Sequence, residues 1–213
     1  MEFSGTFELE GTTVEEVWLA LSDPVLIEES LPGCQFLVEI EDTDPDFDEL
    51  RERTEGRDVD PSGDPEVIAE RAFEEKNHYA ALMQISVGPV NPSFETVVTI
   101  DHREYPEMSA SGEGSSGNSS FEMSSGMSLV GTDDGVKIDW ETEAEVFGKV
   151  AQMGQRVINP VANRVVKRFF SSVQDRLHEL QMADDEGSTE GADEDGRGLV
   201  DRVLGRSKTD SNT

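Results

Sequence analysis

Between Gly148 and Leu180 the apolar residues fall at Val150, Met153, Val157, Val161, Val165, Phe169, Val173, Leu177 and Leu180. Steps of three and four place them on one face of a helix. Arg156, Arg164, Lys167, Arg168 and Arg176 fall mostly on the other side. A helix of that length spans roughly 45 Å. Pro160 lacks an N–H and crowds the carbonyl of Arg156, which predicts a kink near Asn159. Gly154 predicts close packing of the helix on the sheet.

Upstream, the pattern changes to period two. Phe3, Gly5, Phe7 and Leu9 alternate with polar residues, the mark of a half-buried strand. Thr12 or Thr13 then caps a short helix through Val14, Val17, Trp18 and Leu21. Asp23-Pro24 starts a second, ended by Pro32-Gly33. CQFLVEIE reads as a strand. From Asn77 to Val146 strands follow almost without interruption, and Thr132–Gly135 marks a hairpin turn. The last strand turns Val136, Ile138, Trp140, Thr142, Ala144 and Val146 inward and Lys137, Asp139, Glu141, Glu143 and Glu145 outward. The dry face of such a sheet needs a cover, and the terminal helix is the large one available. The expected fold is α+β: a helix-grip, with a curved antiparallel sheet of about seven strands around a long C-terminal helix and two short helices after the first strand.

Residues 42–76 interrupt this pattern with 14 acidic and 5 basic residues. Apart from a short amphipathic helix through Val67, Ile68 and Phe73, the stretch reads as a solvated acidic insertion, placed to cover or reshape the mouth of any cavity. Its alternating Asp42, Asp44, Asp46 and Asp48 lack the turn glycine and distal Glu of a calcium loop. The domain is expected over 1–182. Residues 183–213 read as a disordered acidic tail ending in a basic amphipathic segment, with Leu199, Val200 and Leu204 beside Val203, Arg202 and Arg206. That segment suits docking to a partner or a membrane surface.

The charge of -30 sharpens the picture. An acidic, lysine-poor surface suits a salt-adapted organism and disfavours nucleic-acid binding. Cys34 stands alone in the chain, so no internal disulfide forms, in keeping with a cytoplasmic setting. Its place after Pro-Gly suits a small buried apolar group rather than a nucleophile. The first ten residues show no leader pattern, and no apolar run reaches membrane-span length.

Catalytic patterns are missing. His78, His102 and His178 fall at surfaces, and no cysteine or histidine pair has zinc spacing. No metal, cofactor or catalytic residue is expected. The dry face instead mixes small residues (Gly5, Ala81, Ala110, Gly112, Gly114, Ser125, Thr142, Ala144) with large apolar ones. Small residues under a covering helix leave volume for an apolar guest. The expected lining is Phe94, Met123, Met127 and Trp140 from the sheet, with Val150, Met153, Val157 and Val161 from the helix.

With these residues laid out, the chain resembles the carbon monoxide dehydrogenase G-subunit family, within the START-like (SRPBCC) helix-grip superfamily. MEFSGTFEL, VEEVWLALSDP, SLPGCQ, ISVGPVNPSFE and GKVAQMGQRVI, then Ala162 and Phe169-Phe170, carry the likeness over roughly residues 1–180. The insertion, Pro160 and the tail depart from it. The resemblance implies a protein without chemistry of its own. It implies a cavity for a quinone- or lipid-like guest, and service to a molybdenum-containing carbon monoxide dehydrogenase at the cytoplasmic membrane. A cyclase or dehydratase, or a pure protein-interaction module, are the alternatives.

Overall fold

A computed structural model describes residues 1–57 and 63–187. Strand β1 (Glu2–Glu10) is followed by helices α1 (Val14–Ser22) and α2 (Pro24–Ser30), then strand β2 (Cys34–Ile40). Helices α3 (Phe47–Thr54) and α4 (Pro65–Arg71) come next. Five strands follow: β3 (His78–Gln84), β4 (Ser93–Glu104), β5 (Glu107–Ser116), β6 (Ser119–Gly131) and β7 (Gly135–Phe147). The chain closes with α5 (Gly148–Ala151) and α6 (Gln155–Gly187). The strands form one antiparallel sheet in the order β1-β7-β6-β5-β4-β3-β2. This is the α+β helix-grip that the sequence pattern predicts.

Local chemistry sets the element boundaries. Thr13 caps α1 as half of a capping box with Glu16, whose carboxylate accepts the Thr13 N–H at 2.7 Å. Asp23 caps α2 by accepting from the Val25 N–H at 3.0 Å. Its side chain is 2 % exposed, and Arg71 of α4 grips it through Nε at 2.8 Å and Nη2 at 2.7 Å. Removing one partner of so buried a pair leaves an uncompensated charge, a loss of about 3–5 kcal/mol.

The helix α6 is fixed to the sheet at one end. Phe170, Val173 and Leu177 are buried among Leu9, Val17, Leu21, Leu26, Val136 and Ile138. Phe170 stacks on Phe7 with ring centroids 5.1 Å apart. Toward its N-terminus the helix is held more loosely. Val157, Ile158, Val161, Ala162, Val165, Val166 and Phe169 are only half-buried. Helix and sheet thus form a wedge, most tightly held beside α1 and α2 and more loosely near α5.

Three expectations change. The helical run breaks at Gln152–Gly154 rather than near Asn159, and α6 passes through Pro160. Pro160 lies in the second turn and removes only the bond to Arg156, which the remaining ladder tolerates. The break falls at Gly154 because that residue adopts φ 74°, a left-handed conformation that glycine reaches without strain. Gly154 does not serve close packing: a β-carbon there meets nothing within 4 Å.

The insertion is not merely solvated. Asp46 caps α3, whose Leu50 is 5 % exposed against Phe36, Ala80 and Leu82 on the outer face of β2 and β3. Arg51 ties α3 to Glu95 of β4 at 2.6 Å. The stretch has too few apolar residues for a core of its own, yet Phe47 and Leu50 suffice to dock on an existing sheet. The other described parts of the insertion pack against the helices. Beyond α3, α4 lies beside α1, and a β-carbon on Gly63 would overlap Leu180 of α6. The insertion therefore reinforces the closed end.

The helical backbone of α6 continues through Gly187. The segment carrying Leu199, Val200, Arg202, Val203, Leu204 and Arg206 lies outside the described residues.

Candidate functional site

The inner face of β5–β7 is built by register. Directly paired residues share a face and lie across from one another in rows. One row runs Gly5, Trp140, Met127, Met108, Arg103; the next runs Phe3, Thr142, Ser125, Ala110, Ile100; a third runs Ala144, Met123, Gly112, Val98. Successive rows are about 7 Å apart, two residues along each strand. Met123, Ser125, Met127, Trp140, Thr142 and Ala144 are all half-buried. They lie on the side of the sheet that α6 covers, and the α6 residues nearest its N-terminus are likewise half-buried. The result is an apolar groove under the loose half of the helix.

The eight residues expected to line a cavity fall into separate groups. Phe94, Val150, Met153, Val157 and Val161 belong to one packed cluster with Ala81, Met83 and Val87. Met127 and Trp140 pack against the other cluster, with Ile138 and Leu129. Met123 lies between, its Cγ 3.5 Å from where a β-carbon on Gly112 would sit. Met153 and Val157 flank Gly88 in the turn between β3 and β4. A β-carbon on that glycine would stand 3.7 Å from Val157 Cγ1 and 4.0 Å from Met153 Sδ. The helix wall therefore rests on the Val-Gly-Pro turn.

The small residues do not simply leave space. Trp140 lies over Gly5, where a β-carbon would stand 3.1 Å from its Cζ2. The Phe121 ring occupies the room above Gly114 and meets Phe94 at 5.3 Å between centroids. Part of the volume counted from the small residues is thus filled by neighbouring rings.

Open space gathers instead on both sides of α5. A cleft of about 300 Å³ is lined by Val90, Pro92, Asn118, Lys149 and Val150 among others. A second, of about 320 Å³, is lined by residues including Met1, Val146, Phe147, Gly154 and Ile158. Both are at the small end of the range for ligand sites. Of the eight expected residues, only Val150 lines either cleft. Between the clefts, α5 is pinned by the Val150 N–H, which donates to Ser119 Oγ at 3.1 Å.

The groove carries one polar centre. Ser125 Oγ and Thr142 Oγ1 are 2.7 Å apart, with Trp140 and Met127 on one side and Met123 and Ala144 on the other. One hydroxyl spends its proton on the other; the second still has a proton to donate. The sequence pattern places both residues inward but counts them only as small. Their role becomes visible once register sets them opposite each other. The inward positions of β5–β7 hold no titratable side chain, so the groove offers no general acid or base.

At the closed end, Arg103 lies over the Trp18 ring at 5.1 Å and donates from Nη2 to Ser22 Oγ at 3.2 Å. Burial holds its pKa below the usual guanidinium range. Trp18 Nε1 and Arg103 Nε have no partner among the described residues. The sequence gives no sign of this pairing, since Trp18 and Arg103 are far apart in the chain. Among the described residues, no group of three or more His, Cys, Asp or Glu side chains is arranged to hold a metal ion.

Comparison with solved structures places the fold. A conserved protein from Geobacillus kaustophilus is 22 % identical, with a TM-score of 0.63 over 84 % of this chain and 96 % of that one. A Rhizobium leguminosarum protein aligns at TM-score 0.53 and 9 % identity over 84 % of this chain and 95 % of that one. A Thermus thermophilus protein aligns at TM-score 0.53 and 8 % identity, covering 84 % and 98 %. At such identities the likeness is one of fold. No curated protein matches by sequence. The family profile described as the carbon monoxide dehydrogenase G subunit (CoxG) matches residues 71–178, from the end of α4 into the buried half of α6, and includes the whole groove wall from β3 to β7. On that match, the chain belongs to the carbon monoxide dehydrogenase G-subunit (CoxG) family.

Proposed function

We propose that this protein is a non-catalytic accessory that holds an apolar small molecule, quinone- or lipid-like, between α6 and the inner face of β5–β7. The observation that carries this reading is the wedge. Met123, Met127 and Trp140 on the inner face of the sheet, and Val157 and Val161 on the helix, are all only half-buried. Exposed apolar surface of this kind is costly in water and marks a site for a partner or guest. Methionines suit a variable apolar guest, and the Ser125–Thr142 pair suits a single carbonyl or hydroxyl on it. Phe94, Val150 and Met153 support the helix wall. The family supports an accessory role beside a molybdenum-containing carbon monoxide dehydrogenase-type enzyme, at the cytoplasmic side of the membrane. Leu199, Val200, Arg202, Val203, Leu204 and Arg206 would contact that enzyme or the bilayer.

The test is organic extraction of the purified protein followed by mass spectrometry, together with thermal melting in the presence of added isoprenoid quinones. A retained or added guest at 100 times its Kd stabilises the fold by about 2.7 kcal/mol. Extraction yielding no apolar molecule, with no shift in melting on adding quinones or lipids, refutes the reading.

A further inference from the structure

Two buried N–H groups have no acceptor among the described residues: Trp18 Nε1 and Arg103 Nε. Trp18 is 1 % exposed. A buried N–H left without an acceptor is destabilising, and nearly all such groups in folded proteins have one. The charge is unbalanced at the same place. Arg51, Arg57, Arg71 and Arg176 each pair with a carboxylate. The Arg103 guanidinium pairs with none among the described residues, in a chain with 47 acidic residues. Glu75 takes the Arg103 backbone N–H instead, at 3.2 Å. Burial lowers the Arg103 pKa, and Tyr79 and Glu74 offset this only in part.

Register puts this cation at the end of an apolar row. Arg103 pairs with Met108, Met108 with Met127, and Met127 with Trp140. Neighbouring strands lie about 4.8 Å apart, so the row runs roughly 14 Å from the cation to the Trp140 indole. Tyr105 flanks the cation end. Its ring meets Trp18 edge-on at 5.6 Å, and its hydroxyl proton goes to Glu15 Oε1 at 3.3 Å. Guanidinium and indole both donate and neither accepts. Trp18 is fixed in the core, but Arg103 is only half-buried, and its long side chain can swing to admit a head group. A hydroxyl or a carbonyl would satisfy a donor and leave the charge unbalanced. A carboxylate does both.

We propose that Arg103 and Trp18 form the head site for a carboxylate carried on an apolar chain, with the tail along Met108, Met127 and Trp140. The carboxylate oxygens accept from Arg103 Nε–H and Trp18 Nε1–H. This narrows the guest to a fatty-acid-like molecule, and it rests on the reading that this face of the sheet takes an apolar guest. A small free carboxylate would offer the same head without the tail.

The full-length protein is titrated calorimetrically, near neutral pH, with palmitate, hexadecanol and acetate. Palmitate should bind at least about 10-fold more tightly than hexadecanol, the margin of a hydrogen bond to a charged group. Acetate, lacking the tail, should bind at least about 100-fold more weakly than palmitate. Arg103→Met should erase the preference for palmitate and leave hexadecanol affinity within about 2-fold, which also shows that the variant is folded. Arg103→Lys, which keeps the charge without the Nε–H, should retain part of the preference. Trp18→Phe should lower palmitate affinity several-fold. Equal affinity for palmitate and hexadecanol in the parent, or a preference that survives Arg103→Met, overturns the head site and leaves the guest-binding reading standing; a water bridging the two donors is then the simpler account. Acetate binding as tightly as palmitate marks a small-anion site and overturns the assignment as well. No binding of palmitate, hexadecanol or an isoprenoid quinone removes both this site and the guest-binding reading beneath it.

Discussion

Cys34 shows how position sets chemistry at the scale of one residue. Its thiol donates to the Phe36 carbonyl at 3.3 Å. Burial, with Glu28 adding to it, pushes its pKa from 9.0 up to about 12. The thiolate is the reactive form, so the folded protein should react slowly with thiol reagents at neutral pH, and unfolding should release that reactivity. The same shift has a consequence for stability. Between 9.0 and about 12 the unfolded chain loses the thiol proton while the folded one keeps it. Stability therefore falls as pH rises through that window. Burial raises the Tyr79 and Tyr105 hydroxyls as well, in the same direction. Denaturant melts in steps from pH 8 upward check this; a flat profile, or rapid thiol labelling of the native protein, contradicts it.

At the scale of elements, the break between α5 and α6 re-aims the chain from the end of β7 into the long helix. Gly154 at φ 74° lets the chain turn with open space beyond it. Gly154→Ala meets no steric neighbour but strains the backbone, and should cost on the order of 1 kcal/mol. Thermal melting reads that loss, while Leu177→Ala, at the 5 % exposed closed end, should cost about 2–5 kcal/mol. A Gly154→Ala protein as stable as the parent would show that the turn needs no glycine. The sequence made the strands, the two early helices and the long helix legible because period two and period 3.6 survive wherever one face is wet. It misplaced the break because proline is the stronger helix breaker in isolation, while the second turn of a packed helix tolerates it. It also read α3 as solvent-bound, since two apolar residues make no visible period yet dock well on β2 and β3. The lining of the groove was half legible: inward parity was readable in β6 and β7, whereas the pairing of Ser125 with Thr142 needs the register.

The whole molecule is shaped by its charge. On the outer face, Glu113 pairs with Glu122 and Glu122 with Glu145 across three strands, and Glu2 pairs with Glu143. Like charges directly opposite destabilise a sheet. Screening shortens their reach to about 3 Å at 1 M salt. The melting temperature should therefore rise with sodium chloride, and Glu122→Gln should raise it most at low salt; a protein destabilised by salt contradicts this. The inner face obeys a different constraint. Its Met- and Trp-bearing rows lie half-buried on the side that α6 covers, and the proposal rests on that face holding a guest. Fluorescence titration with an isoprenoid quinone tests it most directly, because Trp140 forms part of the wall. Quenching should saturate at one quinone per chain and should largely disappear in Trp140→Phe. Absence of saturable quenching, or quenching unchanged in Trp140→Phe, would contradict the account.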